Sequence, residues 1–187
     1  MEVIKTKLDG VFIVQPRVFK DSRGYFYESF NEQEFKEKVC DTTFVQDNQS
    51  KSTYGVLRGL HFQSPPHAQA KLVRCVKGSV LDVAVDIRKG SPTYGQYVSV
   101  LLTEDNCRQL FIPKGFAHGF SALTDEAVFQ YKVDDIWCKE CEGGINILSL
   151  GIDWGVRNED VNVSRKDSHY VNFDEFESPF VYDDVEC

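Results

Sequence analysis

The sequence has no apolar stretch long enough to cross a bilayer, and residues 1–10 contain no apolar core of a signal peptide. We therefore expect no membrane association and a cytoplasmic location. Cysteine is also sparse for a disulfide scaffold, with six among 187 residues. Most of these thiols are expected to be reduced, and Cys75, which lies in an apolar run, is interpreted as a core residue.

Basic residues are outnumbered by acidic ones. The chain has 21 Lys and Arg against 29 Asp and Glu, a formal net charge of -8. A surface of this sign repels phosphate backbones, which disfavours nucleic-acid binding, but a few clustered basic residues could still hold a small anion. There is no low-complexity linker and no internal repeat, so we predict a single domain over residues 1–187.

Metal-ligand patterns are incomplete. Cys138 and Cys141 form a single Cys-x-x-Cys, with no second pair at the spacing that structural zinc requires. His61 is followed by Gln63 rather than by a second histidine two residues on, which leaves too few ligands for a His-rich catalytic centre. We therefore predict no metal site.

Alternation of apolar and polar residues dominates the chain, which indicates β-strands. In residues 80–88 one face is apolar and the other carries Asp82, Asp86 and Arg88, which predicts a half-buried strand. Residues 25–30 and 98–102 alternate in the same way, and glycine and proline turns separate the runs. Many short strands with such turns predict a sandwich or barrel.

One helix is marked early in the chain. Asn31 can cap its first turn, Glu34 follows three residues later, and Phe30 can pack against Phe35. The helix is expected to run to about Val39. The acidic and aromatic tail from residue 174 is expected to be an irregular or helical appendage.

Polar residues interrupt some of the apolar segments. Arg58 and His61 share a glycine-bounded apolar stretch, although a lone histidine is more often a satisfied core residue than a base. Lys71 shares a strand face with Val73 and Cys75, so its ammonium needs an anionic partner or a ligand.

Other candidates are weaker when taken alone. Tyr131 shares a face with Phe129 and should point inward, where a plain core tyrosine is the commoner case. Arg23 lies in a turn and could simply be solvated, and Lys166 and Asp167 could be no more than a charged pair.

Several motifs occur in order: residues 21–30, 46–50, 55–63, 69–73, 82–88, 112–120 and the pair Lys166 and Asp167. Together they resemble the dTDP-4-dehydrorhamnose 3,5-epimerase family, over most of the chain as far as Asp167. The resemblance implies an all-β, cupin-type jelly roll with short peripheral helices. It also implies a dTDP-keto-deoxysugar substrate, no metal or organic cofactor, and a homodimer in which an N-terminal segment exchanges between subunits.

The resemblance also implies roles for individual residues. His61 is the base, Asp167 orients it, Tyr131 is the acid on the opposite sugar face, and Lys71 stabilises the enolate oxygen. Residues that match positions holding the nucleotide or sugar are Arg23, Glu28, Gln46, Asn48, Arg58, His118, Glu142 and Lys166.

The sequence departs from the family pattern at residues 136–139, where Ile-Trp-Cys-Lys replaces a tyrosine pair and a proline. Trp137 is therefore expected to affect how the substrate fits.

Three alternatives stay open at this point. A sister enzyme could invert only C3 or only C5 of a related sugar with the same residues. A catalytically silent cupin could bind sugar nucleotides, although retention of His61, Lys71, Tyr131 and Asp167 together argues against it. A metal-dependent cupin oxygenase is disfavoured by the ligand count.

Overall fold

The structure is a computed structural model that describes residues 1–182. These residues form one α-helix, α1 (Glu32–Lys38), and short 3₁₀ turns at Lys139–Cys141, Asn158–Asp160, Asp167–His169 and Phe173–Glu175. The strands of this part of the chain are β1 (Glu2–Lys5), β2 (Phe12–Gln15), β3 (Phe19–Asp21), β4 (Gly24–Phe26), β5 (Gln46–Ser52), β6 (Val56–Gln63), β7 (Lys71–Lys77), β8 (Ser79–Asp86), β9 (Tyr97–Thr103), β10 (Gln109–Ile112), β11 (Phe116–Ala122), β12 (Ala127–Val133), β13 (Glu142–Gly144) and β14 (Asn162–Val163).

Two large sheets face each other. The first has the order β1-β2-β10-β7-β12-β5, and the second has the order β13-β6-β11-β8-β9 with β14 beside β6. Their inward faces enclose an apolar core that includes Val73, Leu110, Phe120 and Phe129. The predicted all-β jelly roll is confirmed. No helix among the described residues is long and apolar enough to span a membrane.

Strand β8 is buried on both faces, so the prediction of a half-buried strand was wrong. Val80 and Ala84 face the core between the sheets, whereas Val83 and Val85 pack in a second apolar cluster on the outer side. The residues predicted to be on a solvated face include Asp82, which is fully buried. Asp82 shares the inner face with Val80 and Ala84, where its carboxylate contacts His118, and the segment after β13 covers the outer face with Val83 and Val85.

That covering segment contains much of the C-terminal region. Ile145, Ile147 and Trp154 belong to the outer cluster, and Phe176 and Phe180 contact the ring of Phe62 with centroids 5.6 and 5.9 Å away. The expected irregular appendage therefore completes a core. Residues 183–187 of the predicted tail lie outside the described residues.

Strand β6 carries a bulge that positions the site. His118 of β11 pairs with His61 and Phe120 pairs with Arg58, so three residues of β6 span two of β11. Such an extra residue reverses the alternation of side chains. Because His118 and Phe120 both contact Phe129 in the core, Arg58 and His61 both face the first sheet instead of opposite sides.

Gly59 makes the bulge possible. Its φ of 127° lies in a region that favours glycine, and a Cβ there would lie 2.6 Å from the Cα of Gly119. The two strands therefore approach more closely than any side chain at this position would allow.

The predicted helix is confirmed. Asn31 accepts a hydrogen bond from the backbone N–H of Glu34 at 3.1 Å, Val39 is the C-terminal cap, and the rings of Phe30 and Phe35 lie 5.8 Å apart. The prediction of a strand over residues 25–30 was wrong about its length. Strand β4 ends at residue 26, and the next residues lead into the helix cap.

Candidate active site

A cavity of about 150 Å³ lies between the two sheets. The first sheet contributes Gln46 and Asn48 from β5, Lys71 from β7 and Tyr131 from β12, and the second contributes His61 from β6 and Glu142 from β13. Residues far apart in the sequence thus converge, and the cavity combines one imidazole, one ammonium, one phenol and one carboxylate.

His61 forms a dyad with Asp167. Its Nε2 lies 2.8 Å from Oδ1 of Asp167, while the other carboxylate oxygen accepts a hydrogen bond from the backbone N–H of Gly59 at 3.3 Å. Burial alone would raise the pKa of Asp167, but the hydrogen bonds from His61 and Gly59 lower it below its usual value. The buried, ionised carboxylate fixes the ring and favours a proton on Nε2, which leaves Nδ1 as the basic atom.

Lys71 is buried without an ion-pair partner. The residue is only 9% exposed, and within residues 1–182 no carboxylate lies within 4.0 Å of its Nζ. Burial lowers the pKa of Lys71 to about 8, although the charges of Glu142 and Asp82 oppose that shift. Near neutral pH the side chain is therefore an ammonium that lacks a fixed counter-ion.

Tyr131 faces the interior, as predicted, and is half-buried. The Nζ of Lys71 lies 5.6 Å from the centre of its ring. In the described part of the chain its hydroxyl makes no hydrogen bond, so the group is free to meet a ligand. Burial raises the pKa of the phenol, Arg58 opposes this shift and Glu142 adds to it, so the hydroxyl remains a proton donor at neutral pH.

Arg58 lies on the surface at the edge of this region and is not buried, in contrast to what its apolar segment suggested. Its Nε donates to Oγ of Ser52 at 3.0 Å and an Nη donates to the carbonyl of Lys51 at 3.2 Å, so the side chain extends across to β5. The guanidinium keeps free donors that could bind an anion.

His118 lies beside His61 on β11 but does not line the cavity. Its Nε2 is 2.7 Å from Oδ1 of Asp82, and both side chains are buried. The second carboxylate oxygen of Asp82 has no hydrogen-bond partner among the described residues. This pair forms a polar layer directly behind the catalytic candidates.

The sequence of this chain matches a known protein family. The sequence model of the dTDP-4-dehydrorhamnose 3,5-epimerase family matches residues 5–175. The chain belongs to this family.

Similar proteins align with most of the length of this chain. The dTDP-4-dehydrorhamnose 3,5-epimerase of Shigella flexneri is 57% identical over 161 residues, which cover 84% of this chain and 89% of the relative. The dTDP-6-deoxy-D-glucose-3,5-epimerase of Legionella pneumophila, solved in complex with dTDP-4-keto-L-rhamnose, matches with a TM-score of 0.93 at 44% identity, covering 97% of this chain and 98% of that one.

A more distant relative has a narrower activity. The 3'-monoepimerase of Streptomyces bikiniensis, in complex with dTDP-quinovose, matches with a TM-score of 0.83 at 30% identity and covers 90% of this chain and 86% of that one. The chain is thus an isomerase of the sugar-nucleotide epimerase family, and the same fold serves both double and single epimerisation.

Two further family positions, Arg23 and Glu28, lie in other parts of the protomer. Arg23 lies in the β3–β4 hairpin, with its side chain 88% exposed and paired with Asp21 at 2.6 Å. Glu28 lines a different cavity of about 300 Å³ near the helix. The fold of one chain therefore does not bring them to His61.

Lys166, the remaining family position, forms an ion pair with Glu142 of the cavity. The Nζ of Lys166 lies 2.6 Å from Oε1 of Glu142. Because Lys166 immediately precedes Asp167, this ion pair connects the dyad to the edge strand β13.

Sequence reasoning missed several residues at the site. The Tyr170 ring lies 5.9 Å from that of His61, and Gln63 and Gln69 line the cavity. Tyr170 follows Asp167 by three residues, a spacing that one 3₁₀ turn brings onto the same side and that could have indicated it. Trp137 also lines the cavity and is 56% exposed, and its effect on substrate fit stays a prediction.

Within residues 1–182 there is no group of three or more His, Cys, Asp or Glu side chains that could hold a metal ion.

Proposed function

We propose that the protein inverts C3 and C5 of dTDP-4-dehydro-6-deoxy-D-glucose and yields dTDP-4-dehydro-L-rhamnose. The C4 ketone acidifies the hydrogens on both neighbouring carbons, so one site can act on each in turn. Removal of a proton gives an enolate, and return of a proton to the other face completes the inversion.

The observation that carries this proposal is that His61 and Tyr131 enter one cavity from opposite sheets. Inversion needs a base on one face of the sugar ring and an acid on the other, and side chains from a single sheet could not flank the ring in this way. His61, oriented by Asp167, is the proposed base, and Tyr131 is the proposed acid.

Lys71 is the proposed stabiliser of the enolate. A buried ammonium without a protein counter-ion gains most when negative charge develops beside it, as on the C4 oxygen. Because Lys71 is buried, this interaction is stronger than it would be in solvent. Removal of a single such donor from an enzyme costs about a hundredfold or more in rate.

The nucleotide is proposed to lie along the rim formed by β5 and β6, against Gln46, Asn48 and Arg58, with Glu142 and Lys166 at the other edge and His118 behind. Arg58 supplies a cation near the cavity of a chain whose net charge is -8, which supports binding of a diphosphate there.

We further propose a cytoplasmic homodimer in which the β3–β4 hairpin crosses to the partner and places Arg23 and Glu28 against its site. Three aromatic side chains of this hairpin are more than half exposed, Phe19 by 51%, Tyr25 by 59% and Phe26 by 71%, and such surfaces usually contact another protein. Strand β5 is also an open sheet edge, which needs cover.

The function is tested by incubating the protein with dTDP-4-dehydro-6-deoxy-D-glucose in deuterium oxide and reading the product by NMR. We expect the L-rhamno configuration with solvent deuterium at both C3 and C5. Label at one carbon only would instead support the single-epimerase alternative, and binding without any label would support the silent alternative.

A further inference from the structure

Two thiols lie next to each other at the edge of the candidate active site. Cys138 caps the N-terminus of the 3₁₀ turn Lys139–Cys141, Cys141 is its last residue, and their sulfur atoms are 3.0 Å apart. A 3₁₀ turn has three residues per turn, so side chains at positions i and i+3 lie above one another. Both residues are free thiols and both are partly exposed, so a small reagent can reach them.

The other free thiols of the described residues differ from this pair. Cys75 and Cys107 are buried and lie on separate elements. Burial shields Cys75 from reagents, and its thiol donates to the carbonyl of Lys77 at 3.0 Å. Among the free thiols of residues 1–182, only Cys138 and Cys141 are both partly exposed and next to another thiol.

The residues immediately before and after this pair line the cavity. Trp137 precedes Cys138 and Glu142 follows Cys141, and both of these neighbours line the cavity. The backbone N–H of Cys138 donates to Oε1 of Gln63 at 2.8 Å. The carbonyl of Cys141 accepts a hydrogen bond from the backbone N–H of Ser64 at 2.8 Å.

We propose that Cys138 and Cys141 are a dithiol modification site at which a low-molecular-weight disulfide forms a reversible intramolecular disulfide and thereby lowers epimerase activity. One thiolate attacks a sulfur of the reagent, forming a mixed disulfide and releasing one thiol. The second cysteine then attacks the mixed disulfide and releases the other. The cysteines lose two electrons and two protons, and the reagent is reduced to two thiols.

The effect on activity follows from the geometry and depends on the proposed function. A disulfide bond is about 2.05 Å long, so the two sulfur atoms must approach each other by about 1 Å. Because Gln63 and Ser64 hold the backbone on the β6 side, the movement passes to Trp137 and Glu142. Glu142 in turn holds Lys166, the neighbour of Asp167. A misplacement of about 1 Å in positioning groups can cost up to about a hundredfold in rate.

The test uses the intact protein in glutathione buffers of defined ratio, with wild type compared with the double variant Cys138→Ser, Cys141→Ser. Trypsin cleaves after Lys139, between the two cysteines, so a disulfide joins two peptides that are otherwise separate. We expect that linked pair in oxidised wild type, a fall of about tenfold in kcat/KM, and full recovery with dithiothreitol. Cys107→Ser, which keeps the pair, should respond like wild type.

The double variant should keep its activity in every buffer, which also excludes an effect through other cysteines. Absence of the linked peptides at the most oxidising ratio would overturn the proposal, as would a fully linked protein with unchanged kcat/KM. If the reduced wild type has no epimerase activity, the proposed function fails. The peptide linkage and the affinity for dTDP in the two redox states would then still decide whether the site forms and whether it acts on the cavity.

Discussion

At the scale of single residues, Lys71 has the most unusual environment in the site. Its ammonium is buried beside Tyr131 with no carboxylate in ion-pair contact among the described residues, and its pKa is lowered to about 8 by burial. A group with a pKa near 8 is mostly protonated at pH 7 and loses its charge as the pH rises. The proposed electrostatic role can therefore be followed by titration.

We predict that kcat/KM falls as the pH rises through about 8, because the free enzyme then loses the Lys71 charge. Tyr131 does not account for such a fall, since its pKa is raised. Lys71→Arg keeps a cation at all accessible pH values, so it should be slower but should lack this alkaline limb. Lys71→Met should be about a hundredfold or more slower. A pH–rate profile of each variant measures this, and an unchanged alkaline limb in Lys71→Arg would assign the titration to another group.

The orientation of a side chain could be predicted where apolar and polar residues alternate along a strand. The inward orientation of Tyr131 and of Lys71 followed from their apolar neighbours at i±2. The burial of Asp82 could not be predicted in this way, because it depends on the pairing with His118 and on the first sheet, which packs over the face that Asp82 shares with Val80 and Ala84. Gln69 was missed because no periodic pattern connects it to His61, whereas Tyr170 could have been found only from its spacing to Asp167.

At the scale of elements, the bulge in β6 decides which side chains meet. Regular alternation would place Arg58 and His61 on opposite faces, and the extra residue opposite β11 turns both toward the first sheet. The sequence contained the glycine but not the register, which is set by the partner strand. The helix α1, by contrast, was predictable, because its cap and its aromatic contact are local.

Gly59→Ala should destabilise the protein by about 3 kcal/mol or more, because it combines an unfavourable φ of 127° with a Cβ placed 2.6 Å from Gly119. Gly90→Ala is the control, since its φ of 86° is also positive but nothing lies within 4 Å of the added atom. That variant should lose only about 1 kcal/mol. Urea denaturation measures both, and equal losses would show that the close approach of β6 and β11 contributes nothing.

At the scale of the whole molecule, the jelly roll was predictable as a class from its alternating strands and turns, and its family from several ordered motifs. The double burial of β8 and the C-terminal cover were not, because they depend on contacts between distant segments. The proposed exchange of the β3–β4 hairpin also depends on contacts between distant segments, because it would place Arg23 of one chain beside His61 of another.

A mixing experiment tests this exchange. Arg23→Ala should lower kcat/KM about tenfold or more by removing a charged contact to the diphosphate, and His61→Asn should abolish most turnover. If the hairpin acts on the partner, a mixed dimer has one fully intact site. Random subunit exchange in an equal mixture should then restore about a quarter of wild-type activity. No gain on mixing, despite exchange shown by mass spectrometry, would contradict the proposed crossing.

The central claim is that His61 and Tyr131 act on opposite faces of one sugar, and Tyr131→Phe in deuterium oxide tests it most directly. The variant removes the hydroxyl and keeps the ring, so the packing of Tyr131 against Phe129 and Lys71 should survive. We predict that it still exchanges deuterium at C3 or C5, because His61 and Lys71 can form the enolate, but that it inverts neither carbon efficiently. A Tyr131→Phe variant that inverts both carbons at the wild-type rate would contradict the account and leave Tyr131 as a core residue.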